Sequence, residues 1–376
     1  MNPNSHSGWF DQPLIDIQPF IHPLAVETWD TWFRWRDSGR LKDRTIEATW
    51  NRVASALTQV ERAADRPALE HLLMYAMAAW QLLPDARLLG SAGTPDMSWA
   101  DGDLVAVLNI ARFVRAPCTE YARFDFDALE TVAALAVHVL DNAALLQPAA
   151  VPRHGRLRIG MIGLADALAL TGLVYDSAAA RSQSALVARA LCNGCLNKSI
   201  QLAHDRGPQT QCDEQWHRRA IQRGTSAELI RDATNIGLRH GQLTEITSQQ
   251  RLAWFANQVA DALNPMPARP AGGTSASNAT GTILDASGYC ATLRRQLGGP
   301  QPHPVVPTPA TVPAQLELRA ALQNWIDETI DYPVQVDREP GADEVTNWST
   351  LANNLGLGGF AWHTASLHPP RSPVSA

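Results

Sequence analysis

Cysteine is scarce in this chain, and the pattern of a secretory signal is missing. Only five cysteines occur in 376 residues, and they are too few and too unevenly spread for a disulfide framework in a chain of this length. The first twenty residues contain no basic start followed by an apolar core. We therefore expect a cytoplasmic protein whose thiols are reduced.

Long apolar runs without charge are also missing. The most apolar window, ALETVAALAVHVLDNAALL, contains Glu130, His138 and Asp141, and the window MIGLADALALTGLVY contains Asp166. Ionisable residues at such intervals argue against a membrane span. Both windows are predicted to be buried helices.

Clusters of one charge sign are absent as well. The net charge is -6 with lysine and arginine scattered along the chain, so the basic patch of a DNA- or RNA-binding protein is not present. A content of 45% hydrophobic and 18% charged residues is typical of a soluble globular protein with a sizeable core. Nucleic acid and membrane are therefore not expected as partners.

Composition divides the chain into four regions. We predict a helical N-terminal region ending in a loop (1–100), a main body in which strands and helices alternate (101–263), Pro/Gly/Ser-rich linkers with a short helix (264–313), and C-terminal helices, a strand and a tail (314–376). Asp343 and Glu344 suit the start of one C-terminal helix.

Two stretches of the N-terminal region carry apolar residues at helical spacing. One face of TIEATWNRVASALTQV carries Ile46, Trp50, Val53, Leu57 and Val60. In PALEHLLMYAMAAWQLL, where Pro67 suits the first position, the stripe consists of Leu69, Leu72, Leu73, Ala76 and Trp80. Both stretches are predicted to pack into the core.

The stretch RLRIGMIGLADALALTGLVYDS contains Gly160, Gly163 and Gly172 and one embedded acid. A dinucleotide-binding turn requires G-x-G-x-x-G directly after a strand, and only G-x-x-G is present. The pattern favours glycines that allow close packing and the start of a helix over a phosphate cradle.

The cysteines at 192 and 195 have C-x-x-C spacing. Together with Cys212 and His217 they are ligand types that a structural zinc uses, and a redox dithiol is a second reading. Their flanks, however, run at helical periodicity through the pair, which favours ordinary cysteines. No catalytic Ser/His/Asp set follows from spacing, so we assign no catalytic residue, no metal ligand and no cofactor-binding residue.

Several segments in order resemble the large subunit of ribonucleotide reductase. FDFDALETVAALAVHVLDNAALL followed by RLRIGMIGLADALALTGLVYDSAAAR is similar to its C-terminal half. Further similar segments are WDTWFRWRDSGRLKDRTIEATWNRVASAL, LNIARFVRAP, LRAALQNWIDETI and ANNLGLGGFAWH. The sequences of these segments are most similar to the adenosylcobalamin-dependent class II type.

The resemblance implies a helix-rich α/β fold built on a ten-stranded barrel. Here GSAGTPDM leads almost directly to LVAVLNIARFV, so the family's first strands are omitted and we expect a truncated remnant of the barrel. Exposed strand edges must be paired or covered. We therefore expect a homodimer or a complex with a full-length reductase, with ribonucleotides and adenosylcobalamin as the ligands that the resemblance implies.

The residues that the family's chemistry requires are missing. The chain has no Asn-Pro-Cys-Gly-Glu motif, Cys118 follows the LNIARFV strand instead of preceding it, and Asp103 stands where a redox cysteine is expected. The family's Ala-Pro-Thr-Gly-Thr phosphate loop is replaced by Thr247, Ser248, Gln249, Gln250 and Arg251. Without the loop glycine the close backbone approach to an anion is lost, although Arg251 offers a compensating charge.

These departures predict a degenerate, reductase-like protein without reductase activity that acts by binding a nucleotide, a cofactor or a protein. Two alternatives stay open. One is an active adenosylcobalamin-dependent ribonucleoside-diphosphate reductase that takes a thiol from elsewhere, and the other is a zinc-stabilised structural protein.

Overall fold

The computed structural model describes residues 19–99, 103–147, 155–265, 276–277, 283–284, 288–297, 310–330 and 332–364. The N-terminal region contains α1 (Pro23–Thr28), a π-helical turn (Trp29–Phe33), β1 (Arg36–Asp37), β2 (Arg40–Leu41), α2 (Ile46–Leu57), α3 (Arg66–Ala78), β3 (Leu82–Pro84) and α4 (Ala86–Ser91). The body contains β4 (Val105–Asn109), a 3₁₀ turn (Ile110–Phe113), β5 (Val114–Arg115), β6 (Arg123–Phe124), α5 (Phe126–Leu146), β7 (Arg156–Ile162), α6 (Leu164–Leu170), α7 (Ala178–Arg206), α8 (Glu214–Arg223), α9 (Ala227–Ile236), β8 (Gln242–Thr244) and α10 (Gln250–Phe255).

The later elements are β9 (Ala276–Ser277), β10 (Ile283–Leu284), α11 (Gly288–Leu297), α12 (Val312–Gln323), β11 (Val334–Val336), α13 (Ala342–Asn354) and β12 (Trp362–Thr364). The short helix predicted between the linkers is α11. Most of the predicted linkers and the predicted tail lie outside the described residues. The start of α13 is capped as expected, because Glu344 accepts a hydrogen bond from the Gly341 N–H at 2.9 Å.

The two helices predicted in the N-terminal region are α2 and α3. The Thr45 side chain caps α2 by accepting the Ala48 N–H, and the predicted face of α2 is buried. Val60 lies beyond the end of this helix and is only partly buried. Leu72 was wrongly placed in the buried stripe of α3, since it lies off that stripe and is 40% exposed.

The central sheet has four strands in the order β3-β4-β7-β8. Strands β4, β7 and β8 are parallel, and β3 pairs antiparallel with β4. Helix α5 connects β4 to β7 and packs against β3, β4, β7 and α7, while α7 packs against β8. The predicted alternation of strands and helices is confirmed, but within the described residues the sheet is open and forms no closed barrel.

Both edges of this sheet are covered by the chain itself. At β8, the N–H groups of Leu243 and Thr244 donate to one carboxylate oxygen of Asp327, at 2.9 and 3.1 Å. At the other edge all three residues of β3 are buried. The reasoning from exposed edges to an oligomer therefore does not apply to this sheet, and the oligomeric state stays a prediction.

A side chain also covers an edge of the small C-terminal sheet. Strands β11 and β12 form a parallel pair that packs with α12 and α13 in a separate hydrophobic cluster. The fully buried Gln315 of α12 accepts the Gln335 N–H and donates to the Gln335 carbonyl, both at 2.8 Å. One side chain thus satisfies both backbone groups on the free side of β11.

Helix α5 is long and apolar enough to cross a membrane by length and composition alone. Most of its residues are nevertheless buried within the protein, and α7 covers it along its length. The predicted buried helix is therefore confirmed, and α5 is a core helix.

An acid on α5 binds two arginines and a histidine. Asp141 is 1% exposed and accepts from Arg206 at 2.5 Å, Arg239 at 2.9 Å and His240 at 3.0 Å. Burial alone would raise the pKa of Asp141, but the hydrogen bonds and charges of these three partners outweigh it and hold the pKa well below its usual range. The cluster joins α5 to α7 and to the segment before β8.

Candidate functional site at the carboxyl ends of the parallel strands

In open α/β sheets, ligands bind beyond the carboxyl ends of the parallel strands. Here β4 ends at Asn109, β7 ends at Ile162 and is followed by Gly163, and β8 leads into the loop 245–249. The segment 257–264, which follows α10, contacts the chain at the ends of β7 and β8 through Gly163 and the loop. We call this region the strand-end site.

The glycines of the site serve packing. Gly163 is left-handed, with φ 71°, and precedes α6. A Cβ atom on Gly163 would lie 2.6 Å from Asn109 Oδ1, and one on Gly160 would lie 2.7 Å from the Glu245 carbonyl oxygen. Gly172 is left-handed just after α6, with φ 76°. The predicted role in close packing and the start of a helix is confirmed for Gly160 and Gly163, whereas Gly172 lies after the end of α6 and not at a helix start.

The loop 247–251, which the resemblance compares with the family's phosphate loop, binds a carboxylate of the same chain. Ser248 Oγ donates to Asp261 Oδ2 at 2.6 Å, and the Gln249 N–H donates to Asp261 Oδ1 at 2.7 Å. The hydroxyl of Tyr332 donates to Asp261 Oδ2 at 2.9 Å. Burial raises the pKa of Asp261, although these donors act in the opposite direction. Three donors that suit an oxyanion are thus already used.

The other predicted residues of the loop face elsewhere. The guanidinium of Arg251 lies over the Trp32 ring, 3.7 Å from its centroid. Gln250 begins α10, and the Thr247 hydroxyl accepts from the Gln249 side chain at 3.3 Å. The compensating charge expected from Arg251 is therefore engaged by the N-terminal region.

A second buried acid, Asp166, fixes the segment 257–264 from the α6 side. Its Oδ2 accepts the Ala260 N–H at 2.6 Å, and its Oδ1 accepts the Cys290 N–H in the first turn of α11 at 3.1 Å. Burial raises the pKa of Asp166 to about 6, against the effect of these N–H groups. Sequence reasoning assigned it no role, although a single acid inside an apolar run is the signal of a buried, hydrogen-bonded carboxylate.

No cysteine lies in β4, β7, β8 or the segment 257–264, and all five cysteines are among the described residues. The Cys118 N–H donates to the Leu170 carbonyl at the far end of α6, and α6 is about 10 Å long. Asp103 lies just before β4 and forms an ion pair with Arg158 at 3.3 Å. The acid that the resemblance places at a redox-cysteine position is therefore held in a salt bridge.

The C-x-x-C pair lies inside α7, as the periodicity predicted. Burial raises the pKa of Cys192 to about 12 and that of Cys195 well above its usual value. The Cys212 thiol donates to the Ala233 carbonyl, and His217 pairs with the Thr234 hydroxyl. The part of the chain that the structure describes contains no group of three or more His, Cys, Asp or Glu side chains placed to hold a metal ion.

Alkylation rates test the interpretation that the buried thiols are unreactive. In the native protein at pH 7.5 we expect Cys192, Cys195 and Cys290 to react with iodoacetamide at least about tenfold more slowly than Cys118, because they are buried and protonated. Peptide mass spectrometry gives the rate at each thiol, and denatured protein is the control, in which all five should react alike. Fast reaction at Cys192 or Cys195 would instead support a redox dithiol.

Comparison with known proteins places these features in a family context. Residues 104–262 match the family model described as ribonucleotide reductase, barrel domain. The ribonucleoside-diphosphate reductase large subunits of Vaccinia virus (strain Copenhagen) and Monkeypox virus are each 30% identical over 122 residues, which is 31% of this chain. The chain spans only 16% of the length of these relatives.

The match confirms the resemblance at the level of the large subunit. The chain contains a domain like the ribonucleotide reductase barrel domain, and this domain includes β4, β7, β8 and α10. The similarity to the class II type and the loss of activity stay predictions.

Proposed function

We propose that this chain is a degenerate ribonucleotide reductase-like protein that does not reduce ribonucleotides and acts by binding. The observation that carries the proposal is that the carboxylate of Asp261 accepts hydrogen bonds from Ser248, Gln249 and Tyr332. A substrate phosphate would have to displace a buried carboxylate from the donors it would itself need. Such displacement is unfavourable, because it breaks the charge-assisted hydrogen bonds of a buried carboxylate.

The placement of the thiols supports the same proposal. As the family resemblance implies, the reaction needs a cysteine beside the substrate to take a hydrogen atom and a cysteine pair to supply two electrons. No cysteine lies in β4, β7 or β8, Cys290 beside Asp166 is buried with its pKa raised to about 12, and Asp103 stands where the resemblance places one redox cysteine. The proposal therefore includes a barrel that is shortened and no longer catalytic.

Adenosylcobalamin, the cofactor that the resemblance implies, has no role in the proposal. Its chemistry in this family generates a radical on a cysteine at the strand ends, and no cysteine lies in β4, β7 or β8. We assign no step to it.

Protein binding is the proposed mode of action, because the donors that would fit a nucleotide phosphate are used internally. A full-length reductase or a second copy of this chain is the proposed partner, on the resemblance alone. Size-exclusion chromatography with light scattering, on the chain alone and mixed with a full-length reductase, tests this part.

Calorimetric titration with ribonucleoside di- and triphosphates and then with adenosylcobalamin tests the central claim. We expect no saturable heat for the native chain up to about 1 mM ligand. Any binding would then be weaker than about -4 kcal/mol. In Asp261→Ala the three donors are freed, and we expect measurable binding of inorganic pyrophosphate. Asp205→Ala, which removes an acid that is 66% exposed, is the matched control and should behave like the native chain.

Two results would overturn the proposal. One is saturable nucleotide binding by the native chain at micromolar concentration, and the other is formation of deoxyribonucleotide in the presence of adenosylcobalamin and a dithiol reductant. If Asp261→Ala remains folded but does not bind inorganic pyrophosphate, the three donors do not form an anion site.

A further inference from the structure

The segment 257–264, which we call the strap, is fixed at the strand-end site by several hydrogen bonds. The Gly163 N–H donates to the Ala260 carbonyl at 2.7 Å, and Asp166 accepts the Ala260 N–H. Asp261 binds the loop after β8, as described above. At its ends the Tyr175 hydroxyl donates to the Leu263 carbonyl at 2.7 Å, and the Asn257 side chain accepts the Ile21 N–H at 2.8 Å and donates to the Pro19 carbonyl at 3.3 Å. The Tyr289 N–H also donates to the Gln258 carbonyl at 3.1 Å.

The backbone of the strap is in an unfavourable conformation. Asn257, Gln258 and Ala262 have φ values of 67°, 62° and 43°, in the left-handed region that residues other than glycine rarely adopt. Such residues persist only where the surroundings impose them, and they concentrate at functional and switching segments. Three such residues within six positions indicate that the surrounding contacts hold the strap in a conformation of raised free energy.

Buried polar atoms around the strap raise this free energy further. Asn109 is 1% exposed, and neither its Oδ1 nor its Nδ2 has a hydrogen-bond partner among the described residues. Gln258 Oε1 and Asn264 Oδ1, which belong to the strap itself, are also buried without a partner there. Since buried amide groups are nearly always paired in native proteins, these atoms point to a second arrangement in which they meet solvent or a ligand.

Asn109 and the strap approach Gly163 together. A Cβ atom on Gly163 would lie 2.6 Å from Asn109 Oδ1 and 3.4 Å from the Val259 side chain of the strap. Displacing the strap would therefore open space next to the Asn109 amide at the end of β4. It would also withdraw Asp261 from Ser248, Gln249 and Tyr332, so one movement opens space beside an amide and frees three donors.

We infer that the strap is a two-state element that closes the strand-end site in this conformation, with Asp166 as its latch, and that its opening uncovers a polar site suited to an oxyanion. This inference shares the Asp261 contacts with the proposed function, but its test, amide exchange in the strap, is separate from the tests of nucleotide binding and reductase activity. It can therefore fail while the proposed function stands, and the reverse also holds.

Hydrogen–deuterium exchange of the full chain, read by mass spectrometry on peptides that cover the strap, tests the inference. In Asp166→Asn the side chain keeps its size but loses one of its two acceptor oxygens. We expect the strap amides to exchange at least about tenfold faster, while peptides from α2 and α7 keep native rates. Asp125→Asn is the matched control, because Asp125 caps α5 by accepting the Ala128 N–H and does not contact the strap.

A second variant should act in the opposite direction. Gln258→Gly removes the left-handed strain, since glycine adopts a positive φ freely, and it also removes the unpartnered Oε1. We expect exchange in the strap to slow by about three- to tenfold. This variant decides the question if Asp166→Asn does not fold.

Unchanged strap exchange in a folded Asp166→Asn variant would overturn the inference. The same holds if all peptides speed up together, because that would show loss of global stability without a separate opening. Faster or unchanged exchange in Gln258→Gly would show that the closed strap is not strained.

Discussion

Gly194→Ala is expected to destabilise the protein by at least about 3 kcal/mol, although alanine is favoured over glycine by about 1 kcal/mol in most helices. Gly194 lies in the buried face of α7 against α5. A Cβ atom there would lie 2.2 Å from the Glu130 carbonyl oxygen and 2.9 Å from the Ala133 Cβ atom. Both contacts are with the neighbouring helix, so α5 and α7 would have to separate along their shared interface. Denaturant unfolding followed by circular dichroism measures the loss.

Gly90→Ala is the matched control for this experiment. Gly90 is also inside a helix, α4, but a Cβ atom there would meet only the Trp32 carbonyl oxygen at 3.4 Å. We expect its unfolding free energy to change by less than about 1 kcal/mol. If both variants were equally stable, the close approach of α5 and α7 at Gly194 would be contradicted. The result also bears on the C-x-x-C reading, because the glycine between Cys192 and Cys195 packs two helices and does not form a metal-binding turn.

Asp141→Asn is expected to lower the unfolding free energy by about 3–5 kcal/mol. The substitution keeps the shape of the side chain but removes the negative charge that pairs with Arg239 and that, together with Glu61, pairs with Arg206. Removing one partner of a buried ionic cluster leaves uncompensated charge in a poorly solvated place, and this costs far more than the cluster itself contributes. The melting temperature should fall by about 10 °C, which differential scanning calorimetry measures.

A surface ion pair provides the comparison. Asp65 is 52% exposed and pairs with Arg62 at 2.8 Å, so Asp65→Asn should change stability by less than about 1 kcal/mol. A loss of similar size in Asp141→Asn would mean that solvent screens the cluster, contrary to the 1% exposure of Asp141.

Local patterns in the sequence predicted much of the helical structure. The buried face of α2 follows from apolar periodicity and the burial of α5 from its apolar composition, and the helical course of Cys192 and Cys195 follows from their flanks. Leu72 was misplaced because a stripe drawn at helical spacing does not specify how wide the covered face is. Gly160 and Gly163 were predicted correctly because the G-x-x-G spacing does not fit a phosphate-binding turn.

The candidate site was harder to predict because its contacts join distant parts of the chain. Asp261 meets Ser248 across a short helix, and Tyr332 reaches the same carboxylate from 71 residues further along the chain. Asp327 covers the edge of β8 from 83 residues beyond Thr244. No periodicity or motif encodes such pairings, so the loop was described only by the glycine that it lacks, and the sheet edges were expected to need a partner chain.

The carboxylate of Asp327 does at the edge of the sheet what a further strand does elsewhere. The N–H groups on the outer side of an edge strand need acceptors, and a neighbouring strand normally supplies them. Here one oxygen atom on a turn after α12 serves two of these groups, and Arg223 balances its charge at 2.8 Å. A single acidic side chain thus closes this edge to pairing with another strand at Leu243 and Thr244.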